Sequence, residues 1–564
     1  MRQRPLNMGI HFISELIQTL IVRPDYWPVA FWVPIFLALW LLVRLNGPRP
    51  WLNYAQWVWP VAGGLALVAF GCFCMVHLLS PIYLGPIQPQ IAEVSWYFAN
   101  GQPVYHSAGS AEVYSMLYGP DLYIITGWFE KFFGPSAFSF KLPGALAAAG
   151  ALLMLAWHLQ RRVGIKLALL GMSVFTALIL AMNPEELFSR ADVFIVLGLV
   201  VGCWAAFSQS KYAPITFGVA LGICFNLKIH AVIYFLPLVG AAWKNGYRKT
   251  SWLAVSGFAL MLAVAPFLLF SNISLANYLW TLRVAGGHGI NPLNYFTLLE
   301  VFFSLGMPIV AMVLLAYRQN TRATLAGLQA QKYFIQLLLV EFILLLLPAS
   351  KYGAGLHHLL PLALLVIILA AELYAAGVKP EWDDSLASCA ASAVLFSWLT
   401  ACLGIGLVRS YQNAAYLHGR AAWAKSVEAD IDQITAQYGS QHVLLMGTAN
   451  NASYDYAYFR PRLVFAGQPI GFDPCALMER EFANSPVPAL LQLTTALAKT
   501  HSDKKILWLV PKGGEPFSIT SYFAKWEKNG YLPNPPAYDG QFRASFAAAC
   551  TKIATSQYYD LYAE

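Results

Sequence analysis

Groups able to do chemistry in this chain stand in short stretches between long apolar runs. The stretch 80–138 holds Glu93, Glu112 and Asp121, carboxylates that could take a proton from a hydroxyl as a general base. Arg190 and Asp192, with Glu185 and Glu186 before them, stand where two apolar runs meet, and Lys228 stands where one run ends and the next begins. Lys351 precedes the adjacent pair His357 and His358. A carboxylate at the end of a span can simply face water, and Asp192 reads first as an ion-pair partner for Arg190 or Lys228. Lys228 can snorkel to the interface, or it can hold an anionic group near the outer leaflet. Adjacent histidines on a helix point about 100° apart, so His357 and His358 do not form an i, i+4 chelating pair. No metal site is expected, and a divalent cofactor has no support in the sequence. Glu300 and Glu341 lie inside apolar runs, where an ionisable group is costly and by default faces a cavity.

The elements that must position these groups are membrane spans. Hydrophobic residues make up 58% of the 564 and charged residues 11%, far from the quarter or so of charged residues in a soluble domain. Stretches able to cross roughly 30 Å of hydrocarbon fall near 28–44, 57–79, 139–157, 165–182, 192–208, 213–229, 231–243, 251–272, 297–316, 333–349, 358–377 and 386–408. The run 8–22 is either an interfacial helix or a further span. Because it holds Glu15 and no small-residue cleavage site follows, no signal peptide is expected. The expected fold is a polytopic α-helical membrane protein of about 12–13 spans over residues 1–408, with a large first external loop at 80–138.

Lysine and arginine set the orientation. Arg161, Arg162, Lys166, Lys211, Lys244, Arg248, Lys249, Arg318, Arg322 and Lys332 fall in alternate loops, which makes those loops cytoplasmic. Loop 80–138, the other groups named above and residues 409–564 then share the opposite side. The net charge of +8 reflects this asymmetry and carries no nucleic-acid signal. From about Val408 the apolar runs give way to mixed sequence, in which HVLLMG (442–447), RLVFAG (462–467) and KILWLV (505–510) alternate with helix-like stretches at 422–437 and 485–499. That pattern suggests a small extracytoplasmic α/β domain. Its cysteines, Cys475 and Cys550, can pair in an oxidising compartment.

Taken in order, four segments resemble the polyprenol-dependent GT-C glycosyltransferases, in particular the bacterial branch related to the protein mannosyltransferase and aminoarabinose transferase types. The first is Trp96 to Tyr105 followed by Tyr118-Gly119-Pro120 and a short helix ending at Gly134. Arg190-Ala191-Asp192 is similar to the family's RPD. GICFNLKIHAVIYFLPL (222–238) and SKYGAGLHHLLPL (350–362) are like two further family segments. Together they cover roughly 80–380, leaving the tail outside the resemblance.

The resemblance implies an inverting hexosyl- or pentosyltransferase of a bacterial inner membrane. It would take a sugar from a polyprenyl-phosphate donor and pass it to a lipid or glycan acceptor outside the cytoplasm. A carboxylate in the first external loop would act as general base, and Lys228, Arg190, Asp192, Lys351, His357, His358 and Tyr118 would surround the donor's phosphate and sugar. One departure stands out: where family members carry an acid at the start of the loop, this chain has Gln88-Pro89-Gln90. The next carboxylate is Glu93, with Asp121 later in the loop. Two readings stay open, that Glu93 has taken the role, or that the chain is a non-catalytic relative that binds or helps export a lipid-linked glycan. A secondary transporter is a third class, although no internal repeat supports it.

Overall fold

The computed structural model describes residues 51–564 apart from 86, 111, 115–117, 183–188, 288, 352–353, 380–385, 450–457, 474–475, 478–479, 481–488, 502–503 and 518–539. The expectations for 8–22 and 28–44, for Glu185 and Glu186, and for Cys475 lie outside the described residues.

Helix α1 (Trp51–Leu79) leads into the first loop, which folds as two helices, α2 (Ile87–Ala99) and α3 (Pro120–Phe133). The bundle continues through α4 (Ala137–Val163), α5 (Ile165–Met182), α6 (Ala191–Phe207) and α7 (Ala213–Leu227). A 3-10 segment (Ile229–Phe235) follows, then α8 (Leu236–Lys244), α9 (Lys249–Leu269), α10 (Leu275–Gly286), α11 (Pro292–Gln319), α12 (Thr321–Ala330) and α13 (Lys332–Ala349). A second 3-10 segment (Leu356–Leu359) opens α14 (Leu360–Ala375). Among the described residues, seven helices are long and apolar enough to cross a membrane, with Ala191–Phe207, Ala213–Leu227 and Ile229–Lys244 as shorter apolar helices. Every run expected to span between 57 and 377 therefore lies on a helix.

Two features bring the polar groups together. On α7, Gly218 and Gly222 lie one turn apart against α9, where a Cβ would stand 2.6 Å from the Val255 carbonyl oxygen and 2.8 Å from that of Ala259. Small residues thus let the two backbones pack closely, as membrane helices do when no hydrophobic force drives them together. The second feature is a pair of breaks. Each 3-10 segment precedes a Leu-Pro-Leu in which the proline takes one of the first two helical positions, where its missing N–H costs nothing. Leu236 and Leu360, the residues before the prolines, are themselves helical at φ −55°, ψ −48° and φ −63°, ψ −47°. Each proline lacks the N–H that would bond the carbonyl four residues back and its ring crowds that carbonyl, and the turn upstream tightens. Lys228, between α7 and the first 3-10 segment, is extended at φ −149°, ψ 127°. Non-helical backbone of this kind is tolerated at membrane depth where it is buried in protein or lines a cavity.

The run expected at 386–408 opens α15 (Leu386–Tyr438), a helix of 53 residues that passes unbroken through Val408. At 1.5 Å per residue it is roughly 80 Å long, enough to cross the membrane and carry the tail beyond it. It packs against α1 and α5. The tail is an α/β unit with β1 (His442–Met446), α16 (Arg460–Phe465), α17 (Leu490–Thr500), β2 (Lys505–Pro511), α18 (Gly540–Ala549), β3 (Thr551–Thr555) and β4 (Tyr559–Ala563). Strand order is β1-β2-β4-β3, parallel between β1 and β2 and antiparallel elsewhere. Alternation along the strands gives two faces. Leu444, Met446, Leu507 and Leu509 pack with Ile431 and Ile434 of α15 and Leu463 of α16. Val443, Leu445, Ile506 and Trp508 pack with Leu493 and Leu497 of α17 and Phe546 of α18.

RLVFAG is helical where its apolar run read like a strand: Pro461 stands at the helix start and Gly467 follows its end at φ 86°, the two signals that bracket a short helix. Cys550 is a buried free thiol in the second of these apolar layers.

Candidate active site

Lys228 and Asp192 form the centre of a polar cluster at one end of the bundle. Lys228 Nζ donates to both carboxylate oxygens of Asp192, at 2.8 and 2.6 Å, with both side chains buried. Asp192 sits in the first turn of α6, where a negative charge is favoured by the helix N-terminus. The ammonium also stands 5.3 Å from the centroid of the Tyr118 ring, within cation–π range. Neither charge could be held in an apolar bundle without the other.

Tyr118-Gly119-Pro120-Asp121 lies directly against this pair. Gly119 N–H donates to the Leu227 carbonyl at 2.9 Å, and a Cβ on Gly119 would fall 1.9 Å from the Asn226 carbonyl oxygen. Glycine is required there by proximity alone, because its φ of −74° suits any residue. Pro120 then starts α3 and places Asp121 in the first turn. Burial pushes the Asp121 carboxyl up to about 7, against a smaller opposite effect of a hydrogen bond from Asn226. The Tyr105 hydroxyl, donating to the Tyr118 carbonyl at 2.8 Å, fixes the motif from behind.

The two 3-10 segments meet through their histidines. His358 Nδ1 and His230 Nε2 are 3.2 Å apart, and the Tyr234 hydroxyl donates to the His358 carbonyl at 3.0 Å. One of the two ring nitrogens must accept, so at least one ring is uncharged in this arrangement. The His357 ring lies 4.4 Å from that of His358, and Arg190, at the start of α6, is within electrostatic reach of it. Lys351 closes the cluster while donating to the Ala285 carbonyl at 3.3 Å, in the last turn of α10, where a cation suits the helix dipole. Among the described residues no group of three or more His, Cys, Asp and Glu is arranged to hold a metal ion.

Glu93 is placed differently from what its position in the loop suggests. It is fully buried in α2, and both its oxygens accept from Arg460, Oε1 from Nε at 2.8 Å and Oε2 from Nη2 at 2.5 Å. Arg460 also donates to Asp473 Oδ2 at 2.5 Å and to the Phe472 carbonyl at 2.7 Å. Gln90 Nε2 donates to the other Asp473 oxygen at 2.6 Å, and the Gln88 side chain accepts from Leu84 N–H at 2.8 Å. Burial raises the Glu93 carboxyl to about 7, with the charge and hydrogen bonds of Arg460 acting against that rise. The first loop and the tail also pair as backbone: Val113 N–H donates to the Gly471 carbonyl, and Asp473 N–H to that of Val113, each at 2.8 Å. Glu93 is thus a docking residue for the tail, and a carboxylate saturated by a guanidinium is poorly placed to take a proton.

Sequence reasoning therefore named Lys228, Asp192, Arg190, Tyr118, Asp121, Lys351, His357 and His358, which gather here, and Glu93, which stands apart in the docking contact. It passed over His230, Arg460 and Asp473. His230 was legible two residues after Lys228 in the same segment. Arg460 and Asp473 carried no local signal.

No protein-family model matches the chain, and no curated protein matches it in sequence. Solved structures match it in fold. The structure of ArnT from Cupriavidus metallidurans bound to undecaprenyl phosphate superposes with a TM-score of 0.52 at 11% identity, covering 92% of this chain and 98% of that one. Its apo form gives 0.46 at 12% identity over 91% and 98%. Arabinosyltransferase EmbB from Mycobacterium smegmatis gives 0.39 at 13% identity over 77% of this chain and 45% of that one. The share covered in the first comparison is too large to leave out the tail, so the likeness runs beyond the four sequence segments. The chain has a GT-C-like fold, a polytopic helical membrane module joined to an α/β tail.

Proposed function

We propose that the chain is an integral-membrane glycosyltransferase that moves a hexose or pentose from a polyprenyl-phosphate donor to a glycan or lipid acceptor outside the cytoplasm, with inversion. One observation carries this: the Gly119–Leu227 hydrogen bond joins the short stretch that bears Asp121 to the one that bears Lys228, seated on Asp192, in the fold of ArnT, whose solved structure holds undecaprenyl phosphate. Lys228 and Arg190 neutralise the leaving phosphate, and the histidines His230, His357 and His358 supply ring N–H donors to it. An acceptor hydroxyl oxygen attacks the anomeric carbon as the bond from that carbon to the phosphate oxygen breaks. The bonding pair leaves with the polyprenyl phosphate, and the hydroxyl proton passes to Asp121.

Assigning the base to Asp121 rather than Glu93 follows from their partners, because Glu93 has both oxygens bound to Arg460 while burial, opposed only by a hydrogen bond from Asn226, sets Asp121 near neutrality. Cations in the last turns of α4 and α8, Arg161, Arg162 and Lys244, mark the end of the bundle away from this cluster. That distribution supports a bacterial inner-membrane protein with the cluster and tail outside. Engagement of Glu93 also favours a second reading, a relative that binds lipid-linked glycan without transfer. Incubating the purified protein with polyprenyl-phosphate sugars and following loss of donor separates the two. Consumption that disappears in Asp121→Asn supports transfer, and retention of every donor in the presence of acceptor extracts leaves the binding role.

A further inference from the structure

Between the first loop and the tail lies a cleft of about 890 Å³, lined among others by Trp96, Tyr105, His106, Glu112, Gln468 and His501. This is within the range of built ligand sites, a few hundred to about 1,000 Å³. Its chemistry is opposite to that around Lys228. Among the described residues no lysine or arginine lines it, and burial lowers His106 to about 4, so that ring is uncharged at neutral pH. The acidic group fixed in the wall is the Glu112 carboxyl, raised by burial and held against that rise by the Tyr97 hydroxyl at 2.7 Å and the backbone N–H groups of Ile470 and Gly471 at 3.0 and 3.2 Å. The Trp96 ring is half-exposed and propped edge-on by Phe465, 6.0 Å away.

Rigid aromatic faces, side-chain amides and one carboxylate suit a polyhydroxylated, uncharged ligand. The apolar face of a sugar ring packs on an aromatic ring while its hydroxyls bond at the rim, and the carboxylate repels anions. The cleft is also joined to the reaction cluster. Tyr105 lines it and donates its hydroxyl to the Tyr118 carbonyl, and Asn277, another lining residue, donates to the Tyr105 carbonyl at 3.0 Å.

We propose that this cleft binds a neutral oligosaccharide and, resting on the transferase reading above, presents it as the acceptor glycan. The phosphate of the donor and the sugars of the acceptor are thereby sorted between a cationic site and one whose wall, among the described residues, holds no lysine or arginine.

The test uses full-length protein in a zwitterionic detergent without a sugar headgroup. Saturation-transfer NMR reads binding of neutral tri- to hexasaccharides of glucose, galactose, mannose and N-acetylglucosamine, and of their sulfated derivatives. Neutral members are expected to bind through ring protons, with affinity lowered at least about tenfold by Trp96→Ala. Thr500→Trp, which narrows the cleft from an exposed position, does the same without disturbing the core. Absence of binding by every neutral member, preference for the sulfated ones, or undiminished binding in Thr500→Trp overturns the inference. Neutral-glycan binding without donor consumption overturns the transferase reading and leaves the cleft; donor consumption without glycan binding overturns the cleft alone.

Discussion

Arg460 and Glu93, 367 positions apart, meet through two hydrogen bonds of 2.8 and 2.5 Å in a buried contact. Through this pair the C-terminal unit is clamped to the first helix of the loop after α1, and Asp473 and Gln90 complete the clamp. Its energetic sense is asymmetric. A buried ion pair adds little against a well-packed apolar pair, but removing one partner strands the other.

Arg460→Met is therefore expected to cost about 3–5 kcal/mol, read as a lowered unfolding temperature in detergent and faster tryptic cleavage of the tail. Glu93→Gln in the same background should recover part of that loss. Alone, Glu93→Gln should keep turnover within about tenfold of wild type. A hundredfold fall in turnover with unchanged unfolding temperature would give the base role back to Glu93.

Asp121→Asn keeps the shape of the side chain but cannot accept a proton, so turnover is expected to fall at least about a hundredfold with donor affinity retained. Only the ionised carboxylate acts as base, and burial raises it to about 7. The wild-type kcat/KM should then rise with pH through about 7 and lose that limb in the variant. Linkage gives stability the opposite slope. Between its ordinary 3.8 and about 7 the folded chain holds this proton while the unfolded chain has lost it, so the contribution of Asp121 to stability declines as pH rises across that window. A flat pH–rate profile would remove Asp121 from the mechanism.

The spans were legible because apolar runs of this length have few other uses, and the cluster was legible because Lys228 and the histidines stand in two segments that both end in Leu-Pro-Leu. The shared Leu-Pro-Leu did not by itself announce the two breaks, nor that His230 and His358 would touch. The Asp192–Lys228 pair was readable as one of two partnerships. The role of Glu93 was not readable, since a contact across 367 positions leaves no periodicity or motif near either end. Nor was the helix over 460–465, because a six-residue apolar run fits a strand as well as a helix until Pro461 and Gly467 are weighed.

Lys228→Met removes the cation proposed to meet the donor phosphate and leaves Asp192 buried without its counter-ion. A hydrogen bond to a charged group contributes about 1.5–3 kcal/mol, so kcat/KM for donor should fall about tenfold to a hundredfold. Asp192→Asn leaves the Lys228 side chain but strips its buried counter-ion, and should also lower kcat/KM for donor. Since the two side chains form one unit, the double variant should cost less than the sum of the singles. Additive losses would show that Lys228 and Asp192 act separately.

Gly119→Ala tests whether close approach of α3 to α7 builds the site. The added Cβ would stand 1.9 Å from the Asn226 carbonyl oxygen and 2.5 Å from its carbon, distances no side-chain rotation can relieve. The start of α3 must move away, carrying Asp121 from Asn226. A displacement of about 1 Å in a reacting geometry can cost about a hundredfold in rate, and a loss of that size in turnover is expected. Because Gly119 has an ordinary φ of −74°, backbone strain does not enter, and the effect is steric. Gly109→Ala in the same loop, with nothing within 4 Å of the new Cβ, should leave turnover unchanged. If Gly119→Ala were as active as Gly109→Ala, the contact between Tyr118-Gly119 and the end of α7 would not be what positions Asp121 for catalysis.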